Sequence, residues 1–368
     1  EKLRAIAQHQ LTVHPPGLPG DAAQEIVNTF LDRLYENQQP KHFGTRLPYS
    51  LGGPDPLNGI SVYWRAQPVP HWHFISYGFS ELYAKESSDL EMSGYGFELT
   101  FRLACADTQN TTTPPVWPLN FLQNLARYVF KSGNVFDDGH WMTANGPIAL
   151  ECDTKICSMG FVMDPELPPI DTPNGNVKFL QVVGLTLDEE NSAKHWQTKQ
   201  LLNIFLPYMP LWITDLGRDS MLSNPIVAAQ VSEGTNRDGS SHGFLYTDVL
   251  LVEERPRLLR KPLIQVTLGA RQVEALIELL PLRLPYGRPC SVAGPHWRLS
   301  FDLAEQDSME TTDRVLTLKM TAATMQDFVS GMRAREGLYT LPGLKPLLVK
   351  VQKTIIKDTK GNIVTTFG

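Results

Sequence analysis

Gly94-Tyr95-Gly96-Phe97-Glu98-Leu99-Thr100-Phe101-Arg102-Leu103 alternates large apolar residues with small or polar ones from Tyr95 onward. A strand turns successive side chains to opposite faces, so this period of two predicts a half-buried strand with its aromatic face on a core. Upstream, His71-Trp72-His73-Phe74-Ile75-Ser76-Tyr77-Gly78-Phe79 reads as a second strand, and Ser61-Val62-Tyr63-Trp64 as another. Before them, Leu51-Gly52-Gly53-Pro54-Asp55-Pro56-Leu57 is punctuated as a turn.

Outward from this block the pattern becomes mixed. A helix is predicted from Asp21, its cap, with Ile26, Val27, Phe30, Leu31 and Leu34 at helical spacing. A second helix is expected over 119–130, with Leu122, Leu125, Tyr128 and Val129 on one face. Residues 132–147 read as irregular, and strands follow at 156–163 and 176–185. One helix is expected over 189–206, burying Trp196, Leu201, Leu202 and Phe205, and a short strand at 211–214.

The polar run Ser232-Glu233-Gly234-Thr235-Asn236-Arg237-Asp238-Gly239-Ser240-Ser241 reads as a flexible linker. Beyond it come strands at 244–252, 263–268, 297–303, 314–320 and 347–356, and helices at 272–280 and 322–333. The expectation is α+β in two mixed sheet-and-helix domains, 1–231 and a smaller 244–368, joined by a linker at 232–243.

A chain of 368 residues is long enough for two domains with separate cores. Its 42% hydrophobic and 20% charged residues are those of a globular protein. A net charge of −6 argues against a nucleic-acid surface, which needs a basic stripe. No apolar run approaches a membrane span, and no signal-peptide core follows Glu1. Four scattered cysteines suggest reduced thiols and a cytoplasmic protein.

Chemistry-bearing motifs are scarce. His71 and His73 share a strand face, yet His140, Cys152 and Asp55 do not complete a metal set at any recognised spacing. Asp137, Asp138, Asp164 and Glu166 could supply an acid/base pair, but nothing in the sequence sets their separation. Nucleophile elbow, P-loop, dinucleotide fingerprint and HExxH are absent from the sequence, and the Asn110-Thr111-Thr112 sequon stands without a secretory signal. The expectation is no catalytic residues, no cofactor and no metal. A metal-dependent or acid/base hydrolase built on His71, His73 and Asp164 remains the enzymatic alternative.

The ordered motifs LGGPDPL, HWHFISYGFSELY and SGYGFELTFRL resemble the Suppressor of Fused family. Pro115-Val116-Trp117-Pro118, Leu125-Ala126-Arg127-Tyr128-Val129-Phe130 and Phe179-Leu180-Gln181-Val182-Val183-Gly184 continue the resemblance, over roughly 45–220. It implies a non-enzymatic protein that sequesters a protein partner. In eukaryotic members an extended Gli-type peptide lies between two domains as an added strand. Carried over, the resemblance places partner-binding residues at Tyr128, Asp138, His140, Asp164, Phe244 and Tyr246.

The pattern departs from the family at two places. Met163 stands where an acid normally precedes Asp164, and Asp138-Gly139-His140 displaces the aspartate of Gly-Asp-His. Tyr128 is open between a core and a binding role. The chain also resembles the compact bacterial-type members, for which the implied partner is a toxin domain and the role that of an immunity protein. Both versions imply a protein or extended peptide in an interdomain cleft, with no nucleic acid and no membrane.

Overall fold

The computed structural model describes residues 22–36, 38–83, 85–105, 111–150, 152–257, 260–357 and 361–368. The expected Asp21 cap and Asn110 of the sequon lie outside the described residues. The chain divides into two compact units, residues up to 193 with 198–230 and residues 194–197 with 231–368.

In the first unit, helices α1 (Ala22–Leu34), α2 (Trp117–Ser132), α3 (Leu187–His195) and α4 (Thr198–Phe205) accompany one large sheet. Its strands are β1 (Lys41–Gly44), β2 (Gly59–Arg65), β3 (His71–Tyr77), β4 (Met92–Ala104), β5 (Trp141–Thr143), β6 (Ile156–Met163), β7 (Ile170–Thr172) and β8 (Gly175–Thr186). They run in the order β1-β2-β3-β4-β8-β6-β5, with β7 also on β8. The β4–β8 pair is parallel, and β3 and β6 flank it antiparallel. A last helix, α5 (Pro225–Asp238), crosses from the first unit into the second.

One sheet face packs Phe74, Leu99, Phe101 and Val182 against Leu122, Leu125, Ala126 and Val129 of α2. The other packs Tyr63, Ile75, Tyr77 and Phe179 against Ala23, Val27 and Leu31 of α1. This arrangement corrects the expectation of a half-buried β4. Glu98, Thr100 and Arg102, the polar half of its alternation, are each 0% exposed. β4 sits between β3 and β8 with both faces covered, so its polar residues meet other polar residues instead of water.

The motif-rich turns are structural. The Glu98 carboxylate accepts from Ser76 Oγ (2.7 Å), Gly78 N (2.9 Å), Ser80 N (2.9 Å) and Ser80 Oγ (2.6 Å). Burial pushes its carboxyl up in spite of these four donors. Gly78, at φ +145°, lies so close to Leu57 that a Cβ would meet the Leu57 Cα at 2.8 Å. The Leu57 backbone is in turn held by Gln123 of α2 at 3.1 Å through both its N–H and its carbonyl.

In the second unit, β10 (Leu250–Arg257), β11 (Arg260–Gly269), β17 (Leu347–Gln352) and β16 (Gly337–Thr340) form a sheet in the order β10-β11-β17-β16. A second sheet runs β14-β15-β13-β12-β9, comprising β9 (Phe244–Tyr246), β12 (Cys290–Ala293), β13 (Arg298–Leu303), β14 (Ser308–Thr312) and β15 (Val315–Met320). Both sheets contribute to one core with α6 (Ala270–Leu279) and α7 (Ala322–Gly331), and β18 (Thr354–Lys357) pairs with β19 (Ile363–Phe367). Helices and mixed sheets make the fold α+β.

Several expected elements change. The run read as a linker at 232–243 is helical through Asp238. Its Gly234 is there for close approach, since a Cβ would lie 2.2 Å from the Trp196 ring. The helix expected over 189–206 is two helices, because Ser240 Oγ and Ser241 N take the carbonyls of Lys194 and Trp196 at the break. Of the strand expected over 211–214 only Thr214 pairs, as a parallel bridge to Leu103; Pro210–Trp212 is a 3-10 turn, with Leu211 and Trp212 at φ 53° and 48° and Gln181 Nε2 bonded to both their carbonyls. The strand expected over 244–252 is two strands in different sheets.

Candidate functional site

The segment after α2, read as irregular, contains a sheet edge. Among the described residues β5 ends the large sheet and its one strand neighbour is β6, so its other side is a sheet edge there. Gly139, at φ +89°, opens a β-bulge: its N–H donates to the Phe161 carbonyl (2.8 Å), and Phe161 N donates to His140 O (2.9 Å). Ala144 N donates to Cys157 O at 2.9 Å, so His140, Met142 and Ala144 turn their bonding groups to β6. By alternation, the backbone groups of Trp141 and Thr143 face the open side.

Tyr128 stands beside this edge. It lies at the rim of the buried face of α2, 37% exposed, three residues beyond buried Leu125. Its ring stacks on Phe136 (centroids 5.7 Å apart), which stacks on Phe161 (4.1 Å), and Asn134 Nδ2 donates to its hydroxyl at 3.3 Å. The aromatic column gives a rigid platform with one ring at the surface.

Asp138 and His140 flank the bulge. Asp138 Oδ1 accepts from Met163 N (3.2 Å), and Oδ2 is paired with Lys199 Nζ (2.5 Å). His140 is exposed, its Nδ1 accepting from Asp137 N at 3.1 Å. Asp137 itself faces Lys178 Nζ at 3.4 Å.

Asp164 occupies a different environment. Its side chain is 0% exposed and grips Arg102, also 0% exposed, through Nη1 (2.6 Å) and Nη2 (3.0 Å). It also accepts from Thr100 Oγ1 (2.7 Å), Glu166 N (2.9 Å) and Leu167 N (3.1 Å). Burial works against its charge, but Arg102 and His73 hold the carboxyl far below the usual range. Arg102 also bonds Gln181 and Glu166, and Glu166 pairs with Arg65 at 2.5 Å.

His71 and His73 share the face of Arg102, as the strand period requires. His73 Nδ1 bonds the Tyr35 hydroxyl, and its Nε2 lies 3.3 Å from Asp164. His71 Nδ1 bonds Val69 O at 2.7 Å. Burial lowers both imidazoles to about 4, aided at His73 by Arg102, so both are neutral at neutral pH. Among the described residues no three His, Cys, Asp or Glu side chains are placed to hold a metal ion. An open depression of about 480 Å³, lined in part by Arg65, Glu166, Leu206 and Leu211, adjoins this network.

In the second unit, Phe244 and Tyr246 lie on β9, which ends its own sheet. Ser291 N donates to Gly243 O (2.8 Å) and Thr247 N to Ala293 O (3.0 Å), a register that turns the backbone groups of Phe244 and Tyr246 to the open side. There the Tyr246 carbonyl accepts from Gln272 Nε2 at 3.1 Å. The Phe244 and Tyr246 rings meet at 4.9 Å, Arg298 lies 5.3 Å over Phe244, and Tyr246 is 77% exposed.

Comparison with known proteins places this geometry in a lineage. The model of the Suppressor of fused protein family matches residues 53–219. The chain is 36% identical over 226 residues to the Suppressor of fused homologs of Homo sapiens and Mus musculus, over 57% of its own length. A solved structure titled the Sufu-Fu complex is 32% identical, with 98% of that chain covered, 58% of this one and a TM-score of 0.54. The chain belongs to the Suppressor of fused family. It spans about half of the length of these curated relatives, 46% of each. Drosophila Suppressor of Fused shares the fold over 92% of this chain and 99% of its own, at a TM-score of 0.77 and 22% identity.

Within this chain, Tyr128, Asp138 and His140 lie around the β5 edge, Phe244 and Tyr246 are on the β9 edge, and Asp164 is enclosed in the Arg102 network. The sequence reading did not single out Trp141 or Thr143, whose backbones face outward, nor Phe136 and Lys199. A three-residue strand carries too few alternations to register. The glycine before a His-Trp pair was the available signal, as the opening of a bulge.

Proposed function

We propose that this protein is a non-enzymatic regulator that captures an extended segment of a partner protein as an added strand. The carrying observation is the β5 edge, which among the described residues has no second strand neighbour and where Thr143 directs its backbone groups away from β6, with the Tyr128 ring exposed. An incoming strand gains main-chain hydrogen bonds there, and Tyr128 supplies an aromatic contact for specificity. β9 is a second edge of the same kind. A Gli-type peptide is the segment implied by the family, and the Sufu-Fu title records that a relative forms a protein complex. Toxin neutralisation has no observation of its own here. The enclosure of His71, His73 and Asp164 speaks against a hydrolytic centre built on them. Four free cysteines are compatible with a reducing cytoplasm.

The test is binding of a labelled Gli-type peptide, by fluorescence anisotropy, to the wild type and two variants. Tyr128→Ala should lose about tenfold or more in affinity with little change in Tm, because an interface tyrosine is worth about 1–2 kcal/mol or more. Thr143→Pro removes an N–H that faces away from β6, so the sheet should tolerate it while strand addition fails. Full affinity in both variants would overturn the proposal.

A further inference from the structure

The resemblance to the family places a partner-binding residue at Asp138. The local geometry occupies both of its carboxylate oxygens. We propose that Lys199 is the charge this site presents, so that the captured segment carries an acidic residue next to the strand added on β5. This assignment rests on the strand-capture reading above and names the chemistry of its partner.

Asp138 is committed. Its side chain is 20% exposed, with Oδ1 on Met163 N (3.2 Å) and Oδ2 on Lys199 Nζ (2.5 Å). Lys199 is the outward member of the pair, 57% exposed. An ammonium has three donors, so one bond to Asp138 leaves others for a ligand while fixing where the group sits. The bulge helps set the spacing: a Cβ on Gly139 would touch Lys199 Cβ at 4.0 Å, and glycine at φ +89° lets the loop lie there.

The neighbouring charges do not restore an acidic surface. Asp137 is matched by Lys178 at 3.4 Å, so two acids face two lysines and cancel. His140 accepts at Nδ1 from Asp137 N, which leaves Nε2 as a further outward donor. A cationic ligand group would have to displace Lys199 from Asp138. An anionic group would join an ammonium that Asp138 already holds in place.

The experiment is a charge scan. Each residue of the Gli-type peptide is replaced in turn by Glu, Gln or Lys, and affinities are measured against wild type, Lys199→Gln and Lys199→Glu at low and physiological salt. Circular dichroism confirms that each variant is folded. At one or two peptide positions Glu should bind about tenfold more tightly than Lys to the wild type, with the difference shrinking at high salt. Lys199→Gln should remove that preference and Lys199→Glu reverse it. Equal or tighter binding of Lys at every position, or a Glu preference that survives in Lys199→Glu, overturns the assignment and leaves strand capture standing. Absence of binding by every peptide in the scan overturns strand capture and the assignment with it.

Discussion

Asp164→Ala separates a buried structural carboxylate from one that reads a ligand. The side chain receives five hydrogen bonds, two from Arg102 and one each from Thr100 Oγ1, Glu166 N and Leu167 N. Its removal leaves the Arg102 guanidinium, which is 0% exposed, with Gln181 and Glu166 as its partners among the described residues. Breaking one half of a buried ion pair costs about 3–5 kcal/mol, because the surviving charge stays buried. The two unpaired backbone N–H groups raise the cost further unless water enters. Taking about 5 kcal/mol and a urea dependence of about 2 kcal/mol per molar, the midpoint should fall by about 2.5 M. That is a large part of the usual stability of about 5–15 kcal/mol. Urea unfolding followed by tryptophan fluorescence reads it, and the chain has seven tryptophans. Arg102→Met combined with Asp164→Leu should recover much of the loss, since no buried charge remains. A loss below about 1 kcal/mol in Asp164→Ala, with peptide affinity abolished, would refute the argument and return Asp164 to the binding surface.

Three further outcomes follow from the core. His71 and His73 fall from 6.5 to about 4 on folding, so their proton affinity is greater in the unfolded chain. Their penalty is absent above pH 6.5 and grows to about 3 kcal/mol each as pH falls to 4; Tm measured across that range should decline, and a flat profile would contradict the buried neutral imidazoles. Glu98→Ala should destabilise by about 3 kcal/mol by orphaning the N–H groups of Gly78 and Ser80, measured by urea unfolding. Gly234→Ala, which in an open helix would gain about 1 kcal/mol, should instead lower Tm because Trp196 occupies the space. A raised Tm would show that the helix and the ring are not in contact.

What could be read from the sequence followed the range of the cause. Period-two alternation located β3 and β4, and apolar helical spacing located α2 and α6, because those patterns are local. The second face of β4 was misread because Arg102 is polar, and only its partners, Asp164 and Gln181, far along the chain, make it a core residue. Gly234 looked like a flexible hinge because the ring that requires a glycine there belongs to Trp196. The candidate site was half legible. Family resemblance placed Tyr128 and Asp138, and neither alternation nor spacing could show that Lys199 already covers the carboxylate. Edge strands of three residues escape pattern reading, and β5 and β9 are of that length.

Amide hydrogen exchange with and without a saturating Gli-type peptide tests strand capture most directly. The N–H of Thr143 points away from β6, and an added strand takes it into a hydrogen bond. Exchange at Thr143 should slow on binding, with Met142, already bonded to β6, little changed. Tight peptide binding that leaves exchange at Thr143 unchanged would contradict strand capture.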